Sequence, residues 1–290
     1  MNPVYPFSAY EHSVMLGDHV RLDAYHQAIK NQIKPGMVVA EIGTGTGILS
    51  AYVASQTKSE IFAIEYRDTF AALAKQMVTS AGLTQVQVLH GKSFDVLLSP
   101  EPDALVTETI GAIGPEEHIV EICYDFKKRH PKLALFIPAK LRMYAEPIRS
   151  SRIHESEHLF LDYFSTASYG AFNYEAIRPD LLKTRSTHLL FDSLKNSESL
   201  GERKLLAEYI MGETSTPEFT VDLDLGSIDD ADAYHFYFEA ELDKETILST
   251  RFSEPETHWA HAYARRPEKM KKLKVSYLNA NEYIAVSWSG

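Results

Sequence analysis

Two clusters of acids and glycines carry the chemistry that this chain could do. The first is Glu41-Ile42-Gly43-Thr44-Gly45-Thr46-Gly47, which follows the apolar run Met37-Val38-Val39-Ala40 and precedes Ile48-Leu49. Glycines permit tight turns and let a ligand lie against bare backbone. A dinucleotide fingerprint needs G-x-G-x-x-G, and Ile48 stands at its last position, so only an acid followed by G-x-G-x-G remains. A second acid, Glu65, closes Ile61-Phe62-Ala63-Ile64-Glu65, 24 positions after Glu41. At the end of a second strand it would offer a carboxylate to ribose hydroxyls. The second cluster is Glu108-Thr109-Ile110-Gly111-Ala112-Ile113-Gly114-Pro115-Glu116-Glu117. Gly111, Gly114 and Pro115 favour a chain that folds back, which would set Glu117 opposite Glu108. Two carboxylates side by side repel unless a cation lies between them, and the planar fork of a guanidinium suits such a clamp better than an ammonium. Glu116 and Glu117 equally suit the first turn of a helix, where the dipole favours acids.

The elements around these clusters read as an α/β chain. Apolar residues from Val14 to Ile29 have a loosely helical spacing over 12–33, ended by Pro35-Gly36. Strand patterns at 37–42, 61–65, 86–90, 103–107 and 132–137 alternate with helical ones at 47–56, 67–81 and 116–129. That alternation predicts a parallel sheet covered on both faces, with ligands beyond the carboxyl ends of the strands. After Pro138 the style changes to short alternating strands at 141–148, 219–225, 233–242, 245–251, 258–264 and 273–288, as in an antiparallel sheet or barrel. Residues 150–200 are polar and irregular, with a helical pattern at 175–183. Together with the sheet, the acid, the glycine turn and Glu65 form the S-adenosyl-L-methionine (AdoMet) pattern of class I methyltransferases.

Composition bounds the partners. With 290 residues, 44% of them hydrophobic and 24% charged, the chain has room for one large or two modest globular domains. No run approaches the length of a membrane span, and Met1-Asn2-Pro3-Val4-Tyr5 has no signal-peptide character. One cysteine, Cys123, excludes an internal disulfide and a cysteine metal cluster, and a cytoplasmic setting is expected. A formal net charge of −11 disfavours a nucleic-acid partner and suits a cationic substrate.

Four segments in order resemble the protein arginine methyltransferases. His12-Ser13-Val14-Met15-Leu16-Gly17-Asp18-His19-Val20-Arg21, with Tyr25, is similar to the family's H-x-x-M-L-x-D-x-x-R-x-x-x-Y segment. The AdoMet turn with Glu65 is the second. Glu108, Gly111 and Glu117 keep the spacing of its paired-glutamate loop, which selects Glu117 over Glu116. Thr257-His258-Trp259 matches its T-H-W loop, and Tyr169-Gly170-Ala171-Phe172 is similar to a segment just ahead of its dimerisation arm. The resemblance implies a Rossmann-like AdoMet domain followed by a β-barrel-like domain with a dimerisation-arm insertion. The corresponding layout is a helical segment over the cofactor at 1–30, the AdoMet domain at 31–140, the barrel at 141–290 and the arm near 165–190.

The resemblance also implies residue roles. Arg21 would pair with the AdoMet carboxylate, while Glu41, Gly43 and Gly45 form the methionine-side turn and Glu65 holds the ribose. Glu108 and Glu117 would clamp the guanidinium, with Trp259 beside the substrate and Met15 lining the methyl-transfer site. His258 would pair with Asp18 and help handle the released proton. The family's adenine-binding glutamate after Gly-Lys is replaced in Gly91-Lys92-Ser93-Phe94-Asp95, so the turn at Lys92 leaves Phe94 to stack on the base or Asp95 to supply the acid. The implied activity is methyl transfer from AdoMet to a guanidino nitrogen, with no metal, on protein, peptide or a free arginine-like metabolite, by a homodimer. The alternatives are another small-molecule nucleophile or a non-catalytic AdoMet-binding relative.

Overall fold

The computed structural model describes residues 9–153, 155, 188–190, 194–224, 228, 230–267, 270–278 and 283–290. The proposed arm, the 175–183 helix and the Tyr169–Phe172 segment fall outside these residues, apart from the short strand at its end. Two helices lead, α1 (Ala9–Gly17) and α2 (His19–Gln32), in place of the single helical stretch read over 12–33. Asp18 makes the break. Its carboxylate accepts the Arg21 amide hydrogen bond at 2.9 Å and caps α2, the usual use of aspartate at a helix start.

Next come β1 (Val39–Ile42), α3 (Ile48–Gln56), β2 (Ile61–Glu65), α4 (Asp68–Ser80), β3 (Val86–His90), β4 (Ala104–Thr107), α5 (Ile119–Arg129) and β5 (Leu135–Ile137). All five strands pair in parallel, in the order β3-β2-β1-β4-β5. β1, β2 and β4 are buried throughout, as their continuous apolar runs require of a sheet covered on both faces. The order reverses direction at β1 and β4, so Glu41, Glu65 and Glu108 all lie at or just past the carboxyl ends of strands around that switch point.

The second half is antiparallel. Its strands are β6 (Lys140–Arg149), β7 (His188–Leu190), β8 (Glu198–Ser199), β9 (Lys204–Ile210), β10 (Phe219–Asp224), β11 (Ala233–Glu241), β12 (Ile247–Ser249), β13 (His261–Arg265), β14 (Lys272–Leu278) and β15 (Tyr283–Ser289). Among the described residues they form two sheets rather than one closed cylinder: a large curled one centred on β6 and β11, and the three-stranded β10-β14-β15. Phe236 and Phe238 of the first share an apolar core with Leu223, Val275 and Tyr277 of the second. That core continues into the parallel half through Leu141 and Met143. A Cβ on Gly114 would lie 3.4 Å from Leu141 and 3.5 Å from Met143, so the paired-glutamate loop rests on the second half. Among the described residues no helix is long and apolar enough to cross a membrane.

Candidate active site

The glycine turn is held in shape from below. Gly43, Gly45 and Gly47 have φ of 73°, 53° and 83°, the left-handed region that disfavours a side chain. Gly43 also lacks room, since a Cβ there would sit 2.8 Å from the Thr109 methyl. Glu41 is buried beneath the turn and accepts hydrogen bonds from the Thr44 hydroxyl, at 2.9 Å, and the Ser50 hydroxyl. Burial raises its carboxyl to about 7, against the pull of those hydroxyls. Glu65 reaches across from β2: one oxygen accepts the Gly45 amide at 2.9 Å, the other the Arg67 amide at 2.9 Å. The turn carrying Lys92, Phe94 and Asp95 begins beside it, because the Gly91 amide donates to the Glu65 carbonyl at 2.9 Å. Phe94 is 45% exposed there, and the Lys92 ammonium lies 5.5 Å from the centre of the Tyr66 ring.

Asp18 joins three parts of the molecule. Besides capping α2, it accepts from the His258 amide at 2.9 Å and from His258 Nδ1 at 2.7 Å. Burial works to raise the Asp18 carboxyl, but these donors hold it below the usual carboxylate range. An ionised Asp18 accepts, so the Nδ1 of His258 carries the proton of that bond.

Arg21 is buried behind Met15, whose carbonyl accepts from Nη2 at 2.7 Å, and its Nη1 donates to Glu108 at 2.8 Å. The sequence reading set Arg21 on a cofactor carboxylate; in this structure its outer nitrogen is on Glu108. The two side chains are 4% and 6% exposed, so this is a desolvated ion pair. Nε of Arg21 is buried with no hydrogen-bond partner among the described residues. An orphaned guanidinium donor beside a glycine turn fits a ligand bearing a carboxylate, and AdoMet is such a ligand.

The loop after β4 is fastened at both ends. Tyr25 of α2 donates to the Thr107 carbonyl at 3.0 Å, and Trp259 Nε1 donates to the Ile110 carbonyl at 2.8 Å. Trp259 is buried edge-on against Phe238, with ring centres 5.1 Å apart. Its polar atom is spent on the loop, so it supports the site rather than presenting itself to a substrate. Glu116 turns into the loop, whereas Glu117 is exposed. Protein crowded around its carboxyl raises Glu117 to about 7, while Arg67 and His118 pull the other way. Burial likewise raises Glu108, Arg21 opposes it, and the Glu117 charge adds a smaller upward push. The 116–129 helix read from sequence is divided: a short turn at Pro115–Glu117 precedes α5, and His118 between them has φ 66°. Arg67 and Tyr25 were not singled out for this site by sequence. Arg67 follows Glu65 by two residues, and Tyr25 lies in the same segment as Arg21.

Comparison with known proteins accords with this geometry. The family model of protein-L-isoaspartate(D-aspartate) O-methyltransferase matches residues 5–95, which include the glycine turn and Glu65 and stop short of Glu108. A probable protein arginine N-methyltransferase 6 of Arabidopsis thaliana is 32% identical over 141 residues, 47% of this chain and 32% of its own length. The histone-arginine methyltransferase CARMER of Anopheles gambiae is 22% identical over 255 residues, covering 84% of this chain and 41% of its own length. The chain is similar to protein arginine N-methyltransferases over part of their length. Its matches span 32% and 41% of the length of these two relatives. The fold is also that of solved arginine methyltransferases. The Trypanosoma brucei PRMT1 enzyme–prozyme heterotetrameric complex with AdoHcy aligns with a TM-score of 0.76 at 18% identity, over 96% of this chain and 93% of the other.

Proposed function

We propose that the chain transfers a methyl group from AdoMet to a guanidino nitrogen of arginine. The observation that carries this reading is the loop after β4: it packs on the glycine turn through Thr109, carries Glu108 and Glu117, and already holds one guanidinium, that of Arg21, on Glu108 at 2.8 Å. When bound, AdoMet supplies an electrophilic methyl group on a sulfonium. Gly43 and Gly45 give its methionine end access to backbone, Arg21 Nε suits its carboxylate, and Glu65 suits its ribose. Glu108 and Glu117 bind and orient the substrate guanidinium, which is protonated at neutral pH and a poor nucleophile. Drawing the positive charge toward the nitrogens they touch leaves electron density on the remaining one. Glu117 is open to solvent and accepts the proton lost after transfer; His258 Nε2, oriented by Asp18, is a second acceptor. Among the described residues, no three histidine, cysteine, aspartate or glutamate side chains are grouped so as to hold a metal ion. A homodimer completed by the 165–190 arm belongs to the same reading, as does a reducing, cytoplasmic setting for the single buried Cys123.

Methyl transfer from labelled AdoMet, assayed with free arginine, an arginine-rich peptide and buffer, tests the proposal. Label on either guanidino acceptor supports it and identifies the carrier. AdoMet binding without transfer to either acceptor would leave a non-catalytic relative or an enzyme for another nucleophile.

A further inference from the structure

The loop that carries both glutamates contains a third acid turned away from them. Glu116 Oε1 accepts the backbone amide of Ile113 at 2.8 Å. Its Oε2 is buried with no partner among the described residues. The carboxyl lies over Gly111, where a Cβ would come within 2.6 Å of Oε2, 2.7 Å of Cδ and 3.0 Å of the Glu116 Cβ. Gly111 is not in the left-handed region, unlike Gly114 with φ 125°. Space, rather than backbone freedom, therefore requires glycine at 111, and the occupant of that space is the Glu116 side chain. Gly111 and Gly114 close the turn by exchanging amide hydrogen bonds at 3.0 and 3.1 Å. The Ile113 amide lies inside this closed turn, and its side chain is buried. Glu116 is thus its one described acceptor, and an amide stripped of its partner there drives the turn to reopen.

We propose that Glu116 is a positioning residue for the Glu108–Glu117 pair, its carboxyl an internal strut that sets the turn between them. The inference rests on the reading of that pair as a guanidinium clamp. What the strut requires is an acceptor oxygen, not a charge. Burial favours the neutral form and raises the carboxyl to about 7, while the Ile113 and other backbone amides oppose this. Trp259 fixes the same loop from the opposite side through Ile110, so the two contacts bracket Gly111. A turn fixed at both its carbonyl and amide edges sets the positions of the two glutamates before any substrate cation arrives.

The test uses the full chain with Glu116→Gln, Glu116→Ala, Gly111→Ala and the double variant Gly111→Ala/Glu116→Ala. Three quantities are read: amide hydrogen exchange over residues 108–118, AdoMet affinity by calorimetry, and kcat and KM for whichever guanidino acceptor the wild type methylates. Glu116→Ala is expected to speed exchange at Ile113 and to lower kcat at least about tenfold, with AdoMet affinity within about threefold of wild type. Glu116→Gln retains the acceptor and should restore both exchange and kcat to within about threefold. Gly111→Ala should resemble Glu116→Ala, and the double variant should be no worse than either single one, because each removes the same packed contact. Wild-type exchange and kcat in both Glu116→Ala and Gly111→Ala would overturn the proposal. So would Glu116→Gln as inactive as Glu116→Ala with Ile113 still protected, which would make Glu116 a charged member of the clamp. If the wild type methylates no guanidino acceptor, the functional reading fails by itself. Exchange at Ile113 then still decides whether the strut exists.

Discussion

At the scale of single residues, the site is a set of carboxylates with different tasks, distinguished by what each oxygen touches. Glu41 supports the glycine turn, Glu65 ties β2 to Gly45, Asp18 orients His258, and Glu108, held by Arg21 through one oxygen, and Glu117 are the pair proposed to bind a cation. Glu108→Gln and Glu117→Gln should each keep the fold and AdoMet binding. Each keeps its shape but exchanges a charge-assisted hydrogen bond, worth roughly 1.5–3 kcal/mol, for a weaker neutral one. Turnover should fall at least about a hundredfold, on the scale of losing one preorganised electrostatic contact. Single-turnover methyl transfer checks this, and near-wild-type rates in both variants would remove the clamp. The pairing of Glu108 with Glu117 was proposed from sequence through the resemblance, whose nine-residue spacing in a glycine-containing loop is local information; the residues alone suited a helix start as well. The Arg21–Glu108 pair was not, because it joins residues 87 positions apart through the docking of α2 on the sheet. The tasks of Glu116 and Trp259 depend in the same way on which atoms a folded loop leaves unpaired.

At the scale of elements, the parallel half could be read closely because its three central strands, β1, β2 and β4, are buried on both faces and bounded by glycine or acid. The first turn makes a direct prediction. Gly45 is left-handed at φ 53° and its amide is bonded to Glu65, so Gly45→Val should strain the turn and put a branched side chain where the ligand must approach. Calorimetry should show AdoMet binding weakened beyond measurement while the melting transition persists. Unchanged affinity would displace the cofactor from this turn. The antiparallel half was less legible. β9 was missed because only Leu206 and Tyr209 of its seven residues are buried, and a bulge opposite Met143 and Tyr144 upsets its alternation. The strand read over 245–251 shortens to β12 because Asp243 accepts the Glu245 and Thr246 amides and keeps that end in a turn. The one read over 258–264 starts only at His261, since His258 and Trp259 are engaged by Asp18 and Ile110. Each shift has a tertiary partner as its cause, and no local pattern encodes such a partner.

At the scale of the whole molecule, two predictions remain. The first is a homodimer. A strictly monomeric mass by light scattering across the micromolar range, with full activity, would exclude it. The second concerns pH, because Glu41 and His261 are buried groups of opposite tendency. In the parallel half, Glu41 is raised to about 7 from an ordinary 4.5, so the folded chain holds a proton that the unfolded chain releases. Its contribution is complete below about pH 4.5 and is lost as pH rises through 7. In the antiparallel half, His261 Nδ1 lies 3.2 Å from His235 Nε2, and burial with that neighbour lowers His261 from 6.5 to about 4. Its contribution is complete above about pH 6.5 and is lost as pH falls through 4. Glu146, bound by the Arg251 guanidinium at 2.8 Å and facing His235, is held near 2 despite its burial, and its contribution is lost only in stronger acid. Stability should therefore be limited on its alkaline side by Glu41 and on its acid side by His261 and by His130 of the parallel half, whose pKa burial likewise lowers. Urea unfolding at a series of pH values separates the two. Glu41→Gln keeps an acceptor for Thr44 and Ser50 and should gain on the wild type by on the order of 2–3 kcal/mol between pH 5 and pH 8. His261→Gln should gain on the wild type in the opposite direction, as pH falls from 6.5 to 4. Parallel curves for Glu41→Gln and the wild type would mean that Glu41 is ionised in the folded chain. The glycine turn would then rest on a buried charge rather than on a neutral acid.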